Sequence, residues 1–179
     1  MIDLSQYAFE ALRKEDEFIL YRGRSKDKGS QVLVLAPLAE HPAPEILKCL
    51  EHAHSLREEL DPAWAARPIG ITRHWDRSVL VLEDPGGVPL DQSLSQPLVL
   101  AFWLRVGIGL STAIGHLHQR GIIHKDIKPA NVLVNPVTGQ CWLRGLLVAS
   151  RLRRVLRTNS KCPASAAARG CGSAADTTD

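Results

Sequence analysis

A chain of 179 residues that is 45% hydrophobic is large enough to bury a core and fits one domain or two small lobes. Its net charge of +3 belongs to residues 151–179, which hold six Lys/Arg against two Asp, and basic Arg151, Arg153, Arg154 and Arg157 lack the interleaved aromatics of a nucleic-acid binder. No uncharged apolar run approaches the ~18 residues of a membrane helix, the start lacks the order of a signal peptide, and Cys49, Cys141, Cys162 and Cys171 have neither zinc-site nor disulfide-scaffold spacing, so the expectation is a cytoplasmic protein with reduced thiols, no membrane and no nucleic acid.

In chain order, residues 7–37 alternate apolar runs with polar turns. Tyr7 to Leu12, Phe18-Ile19-Leu20-Tyr21 and Val32-Leu33-Val34-Leu35 predict three antiparallel strands, the last two joined by the turn Ser25-Lys26-Asp27-Lys28-Gly29-Ser30. Pro44 stands where a proline opens a helix, and Ile46, Leu50, Ala53, Leu56 and Leu60 recur at three- and four-residue steps, giving one apolar stripe toward the core. Val79-Leu80-Val81-Leu82 predicts a strand ending in Glu83-Asp84-Pro85-Gly86-Gly87. Leu98 to Gln119 predicts the longest helix, with Leu100, Leu104, Ile108, Ile114 and Leu117 on its buried face and Gly121 as its stop. His116 and His118 lie two apart, point to different sides and predict no metal pair.

His124-Lys125-Asp126-Ile127-Lys128-Pro129-Ala130-Asn131 follows, between the short apolar runs Ile122-Ile123 and Val132-Leu133-Val134. Taken as residues alone, it fits a surface turn between two strands. Yet His124, Asp126, Lys128, Pro129 and Asn131 at these offsets should arise by chance with odds on the order of 10⁻⁴, and the stretch resembles the catalytic loop of a protein kinase. Asn135-Pro136-Val137-Thr138-Gly139 then reads as a hairpin turn and Cys141-Trp142-Leu143 as the returning strand. From Thr158 to Asp179 there is no Val, Ile, Leu, Met or aromatic residue, which predicts a disordered tail.

The resemblance implies an α+β fold: a lobe built on a small antiparallel β-sheet with one helix (residues 1–85 with the hinge), an incomplete, mainly helical lobe carrying the loop (86–152), and the tail (153–179). It also implies ATP and Mg²⁺ as cofactors of an active enzyme, and a protein substrate or signalling partner. Asp126 would accept the proton of an attacking Ser or Thr hydroxyl. Lys128, two residues on, falls on the same side of an extended loop and can face the migrating phosphoryl group. Asn131 would offer an amide oxygen to Mg²⁺, His124 would pin the loop, and Leu82, Glu83, Asp84 and Pro85 would meet an adenine edge, although Pro85 has no N–H.

Four positions depart from that plan. Arg13, Lys14, Glu15, Asp16, Glu17 and Phe18 fill the loop where glycines would let backbone N–H groups close over phosphates, and three of them are acids. Leu35 takes the place of the phosphate-binding lysine, and Ala53 that of the glutamate that pairs with it. Gly145-Leu146-Leu147 replaces the Asp-Phe-Gly whose carboxylate holds the metal. Nothing beyond Arg151 matches an activation segment or the remaining helices, and the end has the character of a truncation or frameshift.

A narrower likeness rests on Phe18-Ile19-Leu20-Tyr21-Arg22-Gly23-Arg24, residues 59–68 and Val81-Leu82-Glu83-Asp84-Pro85-Gly86-Gly87. These are similar to the N-terminal kinase-like domain of large bacterial proteins that continue into an ATPase module and a sensor histidine kinase. Three functions stay open from sequence: a Ser/Thr kinase or fragment of one, weak or inactive; a pseudokinase-type binding module; and a defective product that never folds.

Overall fold

The computed structural model describes residues 3–15, 17–27, 29–93 and 99–152. The tail expected at 153–179, Asp16 of the acidic loop and Leu98 lie outside the described residues.

The three expected strands form as β1 (Tyr7–Lys14), β2 (Phe18–Ser25) and β3 (Gln31–Pro37), joined by β4 (Pro68–His74) and β5 (Arg77–Glu83) in a sheet of order β1-β2-β3-β5-β4. Every pairing is antiparallel. Sequence reading did not identify β4, and its burial shows why. It is an edge strand whose large apolar residues, Ile69 and Ile71, face outward at 40% and 37% exposure. Trp75 and Asp76, both at positive φ (50° and 56°), make the two-residue turn that returns the chain into β5.

Strand alternation sorts the sheet's two faces. Leu20, Leu33, Leu35, Leu80 and Leu82 pack against α1 (Pro44–Ser55), which contributes Leu50 and Ala53. Val32, Val34, Ala36, Val79 and Val81 point the other way, under Leu4 and the rings of Tyr7, Phe9 and Tyr21. The predicted stripe of α1 continues past the helix through a 3₁₀ turn, with Leu56 and Leu60 buried in the lower core.

The lower lobe contains β6 (Val88–Pro89), α2 (Leu90–Ser93), α3 (Leu100–Gln119), β7 (Ile122–Ile123), β8 (Val132–Val134), β9 (Cys141–Leu143) and β10 (Ser150–Arg151). β6-β8-β9 form one small sheet and β7 pairs with β10. The fold is therefore α+β, as expected.

The predicted buried face of α3 holds at its C-terminal end, where Leu117 is buried and Ile114 packs against the core, but not over its first half. Leu100, Leu104 and Ile108 are 71%, 58% and 67% exposed, while Phe102, Val106, Ala113 and Leu117 enter the core. The helix is apolar on several sides, so periodicity offered two stripes; small residues decide between them. A Cβ on Gly109 would lie 2.9 Å from the Cys141 sulfur, so only the stripe carrying Gly109 and Ala113 lets α3 approach β9 this closely. By length and composition α3 could cross a membrane (mean hydropathy 1.3), which the expectation that no run approaches membrane length did not count because Arg105 interrupts it. Gly121, at φ 71°, ends the helix as predicted.

The two lobes are joined by more than the hinge. The segment after α1 adds to β9: Leu143 donates its N–H to Trp64 O at 2.9 Å and Ala66 donates to Leu143 O at 2.8 Å.

Candidate functional site: the cleft around the Asp126 loop

β7 delivers the chain to the floor of the cleft, where Lys125 adopts a left-handed backbone (φ 67°) unusual for a side chain with a Cβ. His124 is 3% exposed and its Nε2 lies 2.7 Å from Arg144 O, while its Nδ1 accepts the Asp126 N–H at 3.3 Å. One neutral tautomer, with the proton on Nε2, satisfies both bonds. Burial pushes the His124 pKa down, against the pull of its bond to Arg144 O and the charge of Asp126. His124 thus pins the loop to the strand end, as the sequence implied.

The three predicted residues come together. Lys128 Nζ lies 2.9 Å from Asp126 Oδ2, and Asn131 Nδ2 donates to the same oxygen at 2.8 Å and to Asp126 O at 2.9 Å. Burial would raise the Asp126 pKa, but the bond and charge of Lys128, then the bond of Asn131, outweigh it and hold the carboxyl below its ordinary value. Asp126 is therefore ionised at neutral pH and half-exposed. Pro129 opens the 3₁₀ turn Pro129–Asn131, which buries Asn131 at 2% exposure and sets its amide toward Asp126.

The residues present do not fit a Mg²⁺ ion. Gly145 supplies no carboxylate, and at φ 80° a Cβ there would come within 2.5 Å of the Asn131 carboxamide. Asn131 is packed on bare backbone, its NH₂ donating to Asp126. The Asp126 oxygen already carries an ammonium and an amide, and no cluster of three His, Cys, Asp or Glu stands among the described residues. A hard dication asks for six or so oxygens.

The positions expected to meet adenine and phosphate depart from that expectation as well. Leu35 and Ala53 face Ala66, Leu80, Leu82, Gly145 and Leu147 around an apolar cavity of about 20 Å³, room for roughly one water. With neither a lysine nor a glutamate at Leu35 and Ala53, no unpaired charge is left there. Along the hinge, Glu83 gives its N–H to Arg67 O, Pro85 has none, and Gly86 gives its N–H to Asp84 Oδ1. Asp84, with a fully buried side chain, holds Arg22 through two bonds of 2.6 and 3.1 Å, and Arg22 also donates to Gly87 O. Leu82, Glu83, Asp84 and Pro85 thus line the hinge, where the N–H groups of Glu83 and Gly86 already serve the protein.

Sequence reasoning missed the charged residues that tie the cleft. Arg144, the last residue before Gly145, is 3% exposed and donates to Ala130 O and to Glu15. The signal was present as a lone cation closing the apolar run Cys141-Trp142-Leu143, since a buried guanidinium requires a counter-ion. His116, by contrast, stacks on Trp64 at 5.5 Å, and Arg120 lies over the same ring.

No family model matches the chain. Among curated proteins it is 39% identical over 51 residues to the serine/threonine-protein kinase AtPK2/AtPK19 of Arabidopsis thaliana, covering 28% of this chain and 11% of that protein. It is 31% identical over 134 residues to cyclin-dependent kinase F-1 of Oryza sativa subsp. japonica, covering 65% of this chain and 25% of that one. A cyclin-dependent kinase 4 homolog of Caenorhabditis elegans is 29% identical over 108 residues, covering 59% and 23%. The similarity is to protein kinases. The kinase-like domain spans between about a tenth and a quarter of the length of these relatives, and its antiparallel five-stranded sheet with α1 has the form of a kinase-like small lobe.

Proposed function

We propose that this kinase-like domain acts as a pseudokinase-type module, binding a protein partner while transferring phosphate weakly or not at all. One observation carries the reading: Gly145, where the metal-binding carboxylate would stand, is packed against Asn131, and Asn131 bonds Asp126 rather than facing an ion. The apolar exchange at Leu35 and Ala53 and the committed hinge donors support it. Losing one transition-state stabiliser typically costs ~2.7–4 kcal/mol, and here several are replaced.

A second reading is favoured by the intact meeting of Asp126, Lys128 and Asn131. In it the chain transfers phosphate from ATP to protein Ser/Thr hydroxyls, with Asp126 taking the hydroxyl proton, Lys128 facing the phosphoryl group and residues 82–85 lining the adenine; one relative is named a serine/threonine-protein kinase. Our reading extends to a cytoplasmic role in bacterial signalling, with the domain divided at 1–85, 86–152 and 153–179. The phrases around Phe18–Arg24 and Val81–Gly87 support that context.

Titration with Mg-ATP followed by thermal melting, with radiolabel transfer by wild type and Asp126→Asn, tests both. The module reading expects no nucleotide-dependent shift and equal background transfer. A shift of several degrees, with transfer abolished by Asp126→Asn, establishes the kinase instead.

A further inference from the structure

Two guanidinium groups meet one carboxylate oxygen in the cleft. Arg144 Nη2 lies 2.6 Å from Glu15 Oε1, and Arg13 Nε lies 3.5 Å from the same atom. We propose that Arg13 and Arg144 form an anion-binding site whose resident ligand is the chain's own Glu15, and that this internal anion fastens the two lobes without nucleotide.

Arg144 cannot leave. Its carbonyl is held by His124, its N–H donates to Asn131 O at 3.0 Å, and its Nε donates to Ala130 O at 2.9 Å. These bonds fix a buried positive charge beside the catalytic-loop residues and leave Nη2 directed at the β1–β2 turn. The only carboxylate paired with it among the described residues is Glu15, 129 positions away in sequence. Glu15 is held in turn, its N–H donating to Phe18 O at 2.8 Å so that the turn stays tight.

Arg13 adds the second arm. Its Nη1 pairs with Asp91 of α2, and its buried Nε, 3.5 Å from Glu15 Oε1, makes no hydrogen bond. Gln92 of α2 also donates to Leu12 O at 3.0 Å. The end of β1 and the residue after it are therefore tied to the lower lobe, at Leu12, Arg13 and Glu15. Two guanidiniums beside one oxygen, one bonded to it and one with a buried donor to spare, suit a carboxylate or a phosphate-type oxyanion. The acidic turn that would repel an external phosphate serves as its internal substitute. This tie is a matter of charge geometry and holds whether or not the domain transfers phosphate.

The test is the melting temperature of the full chain with Glu15→Gln and Glu15→Ala, with Glu17→Gln as a control for charge on the same turn. In phosphate-free buffer both Glu15 variants should melt roughly 5–10 °C below wild type, because an arginine is left buried without its counter-ion. Added inorganic phosphate should recover roughly half of that loss or more, while leaving wild type and Glu17→Gln unmoved. Glu15 variants that melt within about 2 °C of wild type overturn the proposal, and so does phosphate that shifts all four proteins alike. A nucleotide titration bears on the proposed function; these melts bear on the anion site alone. Should the alanine variant aggregate, the glutamine variant, which keeps the size and one acceptor, gives the same reading.

Discussion

Restoring the missing carboxylate with Gly145→Asp should damage the protein rather than activate it. The backbone at Gly145 sits at φ 80°, where a residue with a Cβ is strained by about 1–2 kcal/mol. The new Cβ would also fall 2.5 Å from Asn131 Cγ and Oδ1, so the carboxamide must move. Moving it breaks the bonds of 2.8 and 2.9 Å to Asp126, one of them to an ionised oxygen, for a further loss of about 1–3 kcal/mol. The sum, roughly 2–5 kcal/mol, corresponds to a fall of about 5–15 °C in Tm for a chain of this size. Differential scanning fluorimetry of wild type, Gly145→Asp and Gly145→Ala separates the causes. Alanine carries the Cβ without the carboxylate and should fall about as far. A Gly145→Asp protein that melts within about 2 °C of wild type and gains a Mg-ATP shift would refute the argument from packing.

Leu35→Lys should cost about 3 kcal/mol or more by placing an unpaired ammonium at a position 4% exposed, and adding Ala53→Glu should recover part of it; chemical denaturation of the two variants measures the coupling. Stability should fall as pH drops through about 6.5, because burial lowers the pKa of His124 and His74 in the folded protein, so the unfolded chain binds more protons there. A further loss is expected below about 3.8, where the depressed Asp126 carboxylate is protonated; a Tm flat between pH 7.5 and 5.5 contradicts the histidine part. On α3, Leu104→Gln should change stability by no more than ~0.5 kcal/mol, whereas Leu117→Ala should lose about 2–5 kcal/mol in urea titration.

Much of the small lobe was legible because its elements carry a single periodicity. Phe18–Tyr21 and Val32–Leu35 fit strands best, and Pro44 with the Ile46, Leu50 and Ala53 spacing fits a helix with one inward face, as both proved to be. The Asp126 loop was legible for a different reason: the residue types state which side chains must converge, and they do converge. What stayed hidden depended on partners distant in sequence. The first half of the α3 stripe was misassigned, while Leu117 was placed rightly, because apolarity alone could not show that Gly109 fits against Cys141. β4 was hidden because Ile69 and Ile71 face solvent on an edge. Glu15 read as an acid in a loop, since its meaning depends on Arg144.

The stitch between Ala66 and Leu143 bears on how the molecule comes apart. Those two amides close backbone bonds across the lobe boundary, so neither strand β9 nor the segment entering β4 can open without exposing the other. Native-state hydrogen exchange should find both protons released in one cooperative unit rather than in two. A fragment ending at residue 85 would then leave Ala66 N–H and Trp64 O without their mates, and would be frayed along the seam where the full chain is knitted.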